Sequence, residues 1–231
     1  MRRLVLSHED KQHRLACEAL TTTIVWAHVE WIASGGYSRA AFPDLVGRWE
    51  APPPPSSKRQ KPVFGKGLVR TVVHRLLVSC VEAGLRDGDV VVFAHDLDRK
   101  PQIREDVAAV FEGHWPFATI AMLPNPEVEA WQIVLASIPE ERLRATTARL
   151  GFSPVTDPTL LSSTSNAAGR DCKAVRDELG LEVWTDHEWS AVSAQQLESV
   201  SPSRGVGLAE FVTAVKAALV AQLLPPEPTS R

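Results

Sequence analysis

The segment Asp87-Gly88-Asp89-Val90-Val91-Val92-Phe93-Ala94-His95-Asp96-Leu97-Asp98 constrains the fold more than any other part of the chain. Asp87-Gly88 is a turn signal, residues 90–94 form an unbroken apolar run, and polar residues follow at once. A run this short, rich in β-branched residues and set between helical patterns, is predicted to be a central strand of a parallel sheet. Residues 3–7 (RLVLS) and 117–123 (FATIAML) are predicted as two further strands.

Helical periodicity fills the spaces between the strands. Leu15, Ala19, Leu20, Ile24, Ala27 and Ile32 predict one long helix from Lys11 to about Ser34, stopped by Gly35-Gly36. Leu68, Val72, Leu76 and Cys80, spaced by four, predict a second over 67–84, and a third follows over 102–113. Pro124-Asn125-Pro126 opens another, and helices are expected near 171–179, 187–198 and 207–223. This order predicts an α/β protein. Its core, residues 1–150, would be an open, mainly parallel sheet flanked by helices, with a mainly helical part, 151–231, packed on it.

Residues 37–66 differ in kind. They hold Pro43, the tetraproline Pro52–Pro55, and then Lys58, Arg59 and Lys61. A tetraproline continues neither a helix nor a central strand, so the segment reads as an extended basic loop inserted in the core. Such a loop either tracks a nucleic-acid backbone or is simply solvated.

Across 231 residues, 25 Lys and Arg face 28 Asp and Glu, a net charge of −3. That excludes a strongly basic nucleic-acid coat and leaves room for a local patch. No apolar run approaches the roughly 18 residues of a bilayer span. Ser7–Asp10 interrupts the N-terminus too early for a signal-peptide core, so a cytoplasmic location and no membrane partner are expected. Three widely spaced cysteines exclude a disulfide framework and the usual zinc pairings. Gly65-Lys66-Gly67 lacks the spacing of a phosphate-binding loop, so the chain itself is not expected to hydrolyse a nucleoside triphosphate. Of the seven tryptophans, Trp49 and Trp115 fall in irregular stretches and are the candidates for an interface, including one between copies of this chain.

Chemistry gathers where the strands end. Asp96 and Asp98 follow the central strand, and in extended backbone residues i and i+2 point the same way. Glu9 follows the first strand, and Glu127 and Glu129 follow the third. Ligands of open α/β sheets bind beyond the carboxyl ends of the strands, so these acids can share one rim. Carboxylates held together repel, and Mg²⁺ or Mn²⁺, hard cations that take oxygen ligands, remove that penalty. The competing reading is that each acid caps or begins a helix. His95 and His8 adjoin the acids and either relay protons or pack; Arg99 and Lys100 either meet phosphates or balance local charge.

A strand ending in Glu, then a central strand ending in Asp-x-Asp, resembles the Toprim domain of topoisomerases, primases and OLD nucleases. The chain is more similar to the small bacterial Toprim-like proteins related to RloB and the OLD nucleases. Their third motif resembles Pro-x-x-Glu-x-Glu-x-Trp, and here Pro124-Asn125-Pro126-Glu127-Val128-Glu129-Ala130-Trp131 looks similar. Asp171-Cys172-Lys173 is the counterpart of a later Asp-x-Lys that opens a helix. The resemblance covers about residues 1–180. It departs at two places: Glu9-Asp10 stands for the usual Glu-Gly, and His13 stands where many relatives carry a second acid.

The resemblance implies a Toprim-like fold and a metal-dependent nuclease. Asp96 and Asp98 would hold Mg²⁺, Glu127 or Glu129 would complete the site, Glu9 would be a general acid/base or a further ligand, and Lys173 would stabilise phosphate charge. It also implies a DNA or RNA substrate, an ABC-type ATPase partner, and a role in defence against phage or plasmids. Two other functions compete. One is a non-catalytic Toprim-like subunit of such a complex. The other is a haloacid dehalogenase-like phosphatase using the Asp-x-Asp pair, although in that family the pair follows the first strand.

Overall fold

Four parallel strands form one sheet in the order β2-β1-β3-β4: β1 (Arg3–His8), β2 (Arg48–Glu50), β3 (Val90–Ala94) and β4 (Ala118–Met122). The computed structural model describes residues 2–54, 68–98, 100–164 and 169–223. All five residues of β3 are buried, as a strand covered on both faces requires. Its side chains divide between two cores. Val90, Val92 and Ala94 pack with Leu4 and Leu6 of β1, while Val91 and Phe93 pack with Val5.

The first core is covered by α1 (Lys11–His28), which Asp10 starts by accepting from the backbone N–H groups of Gln12 and His13. The predicted long helix breaks at Val29, whose backbone is extended, and a short α2 (Glu30–Ser34) follows. The break turns the chain so that Val29 and Ile32 are both fully buried in that core.

Residues 37–50 correct the expectation of a loop. They contain a short α3 (Phe42–Leu45) and then β2, which adds an edge strand parallel to β1. Trp49 stacks on Phe42 with ring centroids 6.2 Å apart, so it packs within the chain. A three-residue strand with exposed Arg48 and Glu50 has too little alternation to be read from sequence. Lys58, Arg59 and Lys61 lie outside the described residues.

The second core is covered by α4 (Leu68–Glu82) and α5 (Pro101–Phe111), through Val73, Leu77, Cys80, Ile103 and Val107. Trp115 belongs to this side. It donates to the Val110 carbonyl and stacks on Phe117, so it too packs internally.

After β4 the chain returns to the α1 side with α6 (Val128–Leu135), α7 (Glu140–Leu150) and α8 (Cys172–Glu178). The helix expected over 187–198 is two, α9 (Asp186–Ala191) and α10 (Ala194–Ser199). Each opens with its own capping box, Thr185 with Glu188 and Ser193 with Gln196, and the second cap ends the first helix. The last predicted helix is α11 (Leu208–Val215), which widens into a π-helical turn over Lys216–Val220. Trp131 of α6 is fully buried and donates its indole N–H to the Val206 carbonyl, tying α6 to the segment that leads into α11.

Gly207, just before α11, has φ +82, and a Cβ there would lie 2.2 Å from the Leu123 carbonyl oxygen. Gly84 has a similar φ of +75 but open space around it. Both Gly→Ala changes strain the backbone, and only Gly207→Ala also forces backbone apart. Gly207→Ala should therefore lower unfolding free energy by about 2 kcal/mol or more beyond Gly84→Ala, read from urea midpoints.

Candidate functional site

The connections decide where a crevice opens. The chain leaves β1 over one face of the sheet through α1 to reach β2, and crosses the other face through α4 and α5 to reach β3 and β4. The switch lies between β1 and β3, where ligands of open α/β sheets bind beyond the carboxyl ends. Glu9 follows β1 at this point and Asp96 follows β3.

Asp96 owes its direction to the pleat. The parallel ladder runs on past β3, with His95 N–H donating to Met122 O at 3.0 Å and Leu97 N–H to Pro124 O at 2.8 Å. His95 therefore leans on Phe93, Leu97 joins the second core, and Asp96 points to the α1 side. Its Oδ1 accepts from Val128 N–H at the start of α6 at 2.9 Å and lies 3.0 Å from His13 Nε2. Its own N–H donates to Glu9 Oε2 at 3.2 Å.

His13, whose side chain is fully buried, is the residue the sequence reading set aside as a departure. Its other ring nitrogen, Nδ1, lies 2.9 Å from Asp10 Oδ1. A neutral imidazole donates through only one nitrogen, so two carboxylates on two ring nitrogens hold an imidazolium. Burial works to lower its pKa, but Asp96 and Asp10 outweigh it and raise the group to about 9. Burial raises Asp96, with Glu9 adding to it and His13 opposing. The signal in the sequence is spacing: His13 is one helical turn beyond Glu9 and Asp10 and so faces the same rim.

Glu127 and Glu129 are each 5 % exposed. Asp171 caps α8 by accepting from Ala174 N–H, which sets Lys173 in the first turn. Lys173 Nζ then lies 3.6 Å from Glu127 Oε1 and 4.0 Å from Glu129 Oε1, and Arg176, one turn on, reaches Glu129 Oε1 at 3.8 Å. Burial first, then the charge of Glu129, raises Glu127 to about 7 against the pull of Lys173. Its second oxygen, Oε2, is buried with no hydrogen-bond partner.

Asp98 goes elsewhere. Its φ of +48 ends the extended backbone on which shared orientation with Asp96 depends, its N–H donates to Pro126 O, and its carboxylate meets Lys100 Nζ at 3.2 Å. Among the described residues, Glu9, His13 and Asp96 offer atoms within 4.8 Å of one another, a group from which Asp98, Glu127 and Glu129 are absent.

The donors fit a hard cation through oxygen. Of that group, both His13 nitrogens are taken by carboxylates, which leaves the oxygens of Glu9 and Asp96 for an ion; the unpartnered oxygen of Glu127 lies outside it. Among the described residues, Glu9, Asp10, Asp96, Glu127 and Glu129 face His13, Lys173, Arg176 and His95, whose Nδ1 lies 3.4 Å from Glu9 Oε2, and Arg176 also serves Asp177. The rim thus keeps a negative excess that a divalent ion would neutralise. No family model, curated protein or solved structure matches the chain. No helix among the described residues is long and apolar enough to cross a membrane.

The His13 shift fixes a pH dependence. A cation whose pKa rises on folding stabilises fully below its unfolded value, near 6.5, and that stability is lost as pH climbs through the folded value, about 9. In metal-free buffer, wild-type stability should fall by on the order of 3 kcal/mol between pH 6 and pH 10, and His13→Gln should remove most of that slope. Urea unfolding across this range checks it.

Proposed function

We propose that the chain is a metal-dependent nuclease of Toprim type, cleaving phosphodiester bonds of DNA or RNA. The observation that carries this reading is the contact of Glu9 with Asp96 at the switch point, with Glu127 from a third strand end near enough that Asp96 repels it and one of its buried oxygens left without a partner. Glu9, Asp96 and Glu127 would hold Mg²⁺ or Mn²⁺, with Glu129 behind them. When bound, such an ion polarises the phosphate and lowers the pKa of a water.

The chain's own groups complete the chemistry. Lys173 sits over Glu127 and Glu129, where its ammonium can turn to charge building on a phosphate oxygen. Burial and the charge of Glu129 raise Glu127 to about 7, a penalty on its carboxylate form that a bound divalent ion would relieve. His13 holds Asp96 in one orientation and prevents it from rotating out of the crevice. Asp98, paired with Lys100, belongs to the outer wall. An ABC-type ATPase partner and a role in defence remain part of this proposal through the family resemblance alone.

A second reading has its own support. His13 already neutralises Asp96, and Lys173 already engages Glu127 and Glu129, so the rim can persist without an ion as the face of a non-catalytic subunit. The phosphatase reading needs Asp98 beside Asp96 as its acid, and the left-handed turn at Asp98 removes that support.

Calorimetric titration of Mg²⁺ and Mn²⁺ separates the two, with the same samples incubated with plasmid DNA and total RNA. Wild type should bind metal and cleave, Asp96→Asn and Glu127→Gln should lose both, and Lys173→Met should keep metal binding while losing roughly 10²-fold or more in rate. A folded wild type that binds no metal would sink the nuclease and leave the binding subunit.

A further inference from the structure

A second concavity opens beside the strand ends that carry the acidic rim. Asp96 and Leu97 are neighbours on extended backbone, so Asp96 serves the α1 side while Leu97 serves the second core. Leu97 and Asn125 line a pocket of about 520 Å³ together with Lys100, which precedes α5, Arg104 within α5, Leu160 and Arg170. Hydrogen bonds hold its walls. Leu97 N–H donates to Pro124 O at 2.8 Å, the Asn125 side chain donates through Nδ2 to Gly205 O at 3.1 Å, and Ser162 N–H donates to Arg170 O at 2.8 Å. The pocket is therefore formed before any ligand arrives, and its size suits a small molecule or one unit of a polymer.

Its charge is opposite to that of the rim. Among the described residues, Lys100, Arg104 and Arg170 line the pocket and no acid does, in a chain whose net charge is −3. Two acids stand just outside: Asp98 meets Lys100 at 3.2 Å, and Glu210 meets Arg104 at 3.3 Å. Both pairs are solvent-accessible and engage a single donor of a cation that has several, so exchange for another anion costs little. The Arg170 guanidinium lies over the Phe152 ring at 5.4 Å, a contact that fixes it beside the pocket. Clustered cations call for a phosphate, and the apolar surfaces of Leu97, Pro101 and exposed Leu160 call for an uncharged group next to it. A nucleotide unit carries both.

We infer that this pocket is a nucleotide subsite, holding one phosphate and the attached sugar or base of a single nucleic-acid strand that continues to the acidic rim. Adjacent residues join the two places: Leu97 follows Asp96, and Arg170 precedes Asp171, the cap that sets Lys173 beside Glu127. The course of the strand rests on the nuclease reading; the binding rests on the pocket.

Fluorescence anisotropy of labelled octathymidylate and octauridylate with the full chain in EDTA tests this without cleavage. Wild type should bind at least one of them. Lys100→Gln and Arg170→Gln should each weaken that binding about fivefold or more and lower the slope of log affinity against log salt by roughly 0.7. Glu210→Gln should instead tighten it about twofold, because an acid leaves the side of Arg104, an effect that a merely structural Arg104–Glu210 pair would not produce. Arg86→Gln, at the opposite end of the sheet, should change nothing, and far-UV circular dichroism verifies that each variant is folded. Free thymidine or uridine monophosphate should compete only at about a hundredfold higher concentration or more; competition at the octamer's own concentration makes this a free-nucleotide site and overturns the strand subsite. A wild type that binds neither octamer overturns it too, as does a folded Lys100→Gln/Arg170→Gln variant that binds at full strength. Metal titration of the same variants should match wild type, so loss of metal binding by wild type strikes the nuclease reading and leaves the octamer result standing.

Discussion

A buried acid at the end of the central strand cannot stand without partners, and the rim is arranged around that constraint. Burying a carboxylate is costly unless its charge and lone pairs are met. The Asp96 carboxylate meets its cost with His13 from α1 and the Val128 N–H from α6, while its backbone N–H binds Glu9 beyond β1, whose charge works against it. One residue thereby locks three segments that are distant in sequence. Gln12 extends the lock: its side-chain oxygen accepts from Gln132 of α6 and from Trp189 of α9, and its amide donates to the Trp184 carbonyl. Removing either member of the Asp96–His13 pair would leave the other charged and buried, so the pair is conditional on both.

What was legible in the sequence follows the range of the interaction involved. The run Val90–Ala94 could be read as a central strand because burial on both faces is a local compositional demand. The sheet and its flanking helices followed, and with them the rim. Asp96, Glu127 and Glu129 are legible as rim residues because acids that follow parallel strands gather at the carboxyl end of the sheet. The edge strand β2 was invisible because three residues carry no period, and its place depends on Phe42 and Trp49 packing together. Asp98 was misdirected because alternation was extrapolated one step beyond the last ladder bond. His13 was passed over as a missing acid, although its turn of helix already placed it on the rim.

A histidine rather than an acid at position 13 sets the electrostatics of the rim. A further carboxylate at position 13 would have deepened the negative field and made a cation indispensable. The His13 imidazolium instead balances Asp96 internally, so the fold tolerates an empty crevice and the negative excess shifts toward Glu127 and Glu129. A metal bound here would compete with Lys173 for those two acids, and the lysine, freed from them, would be the nearest cation to an incoming phosphate. On the proposed reading, metal binding and the release of Lys173 would be a single event, linking occupancy of the rim to its readiness for an anionic substrate.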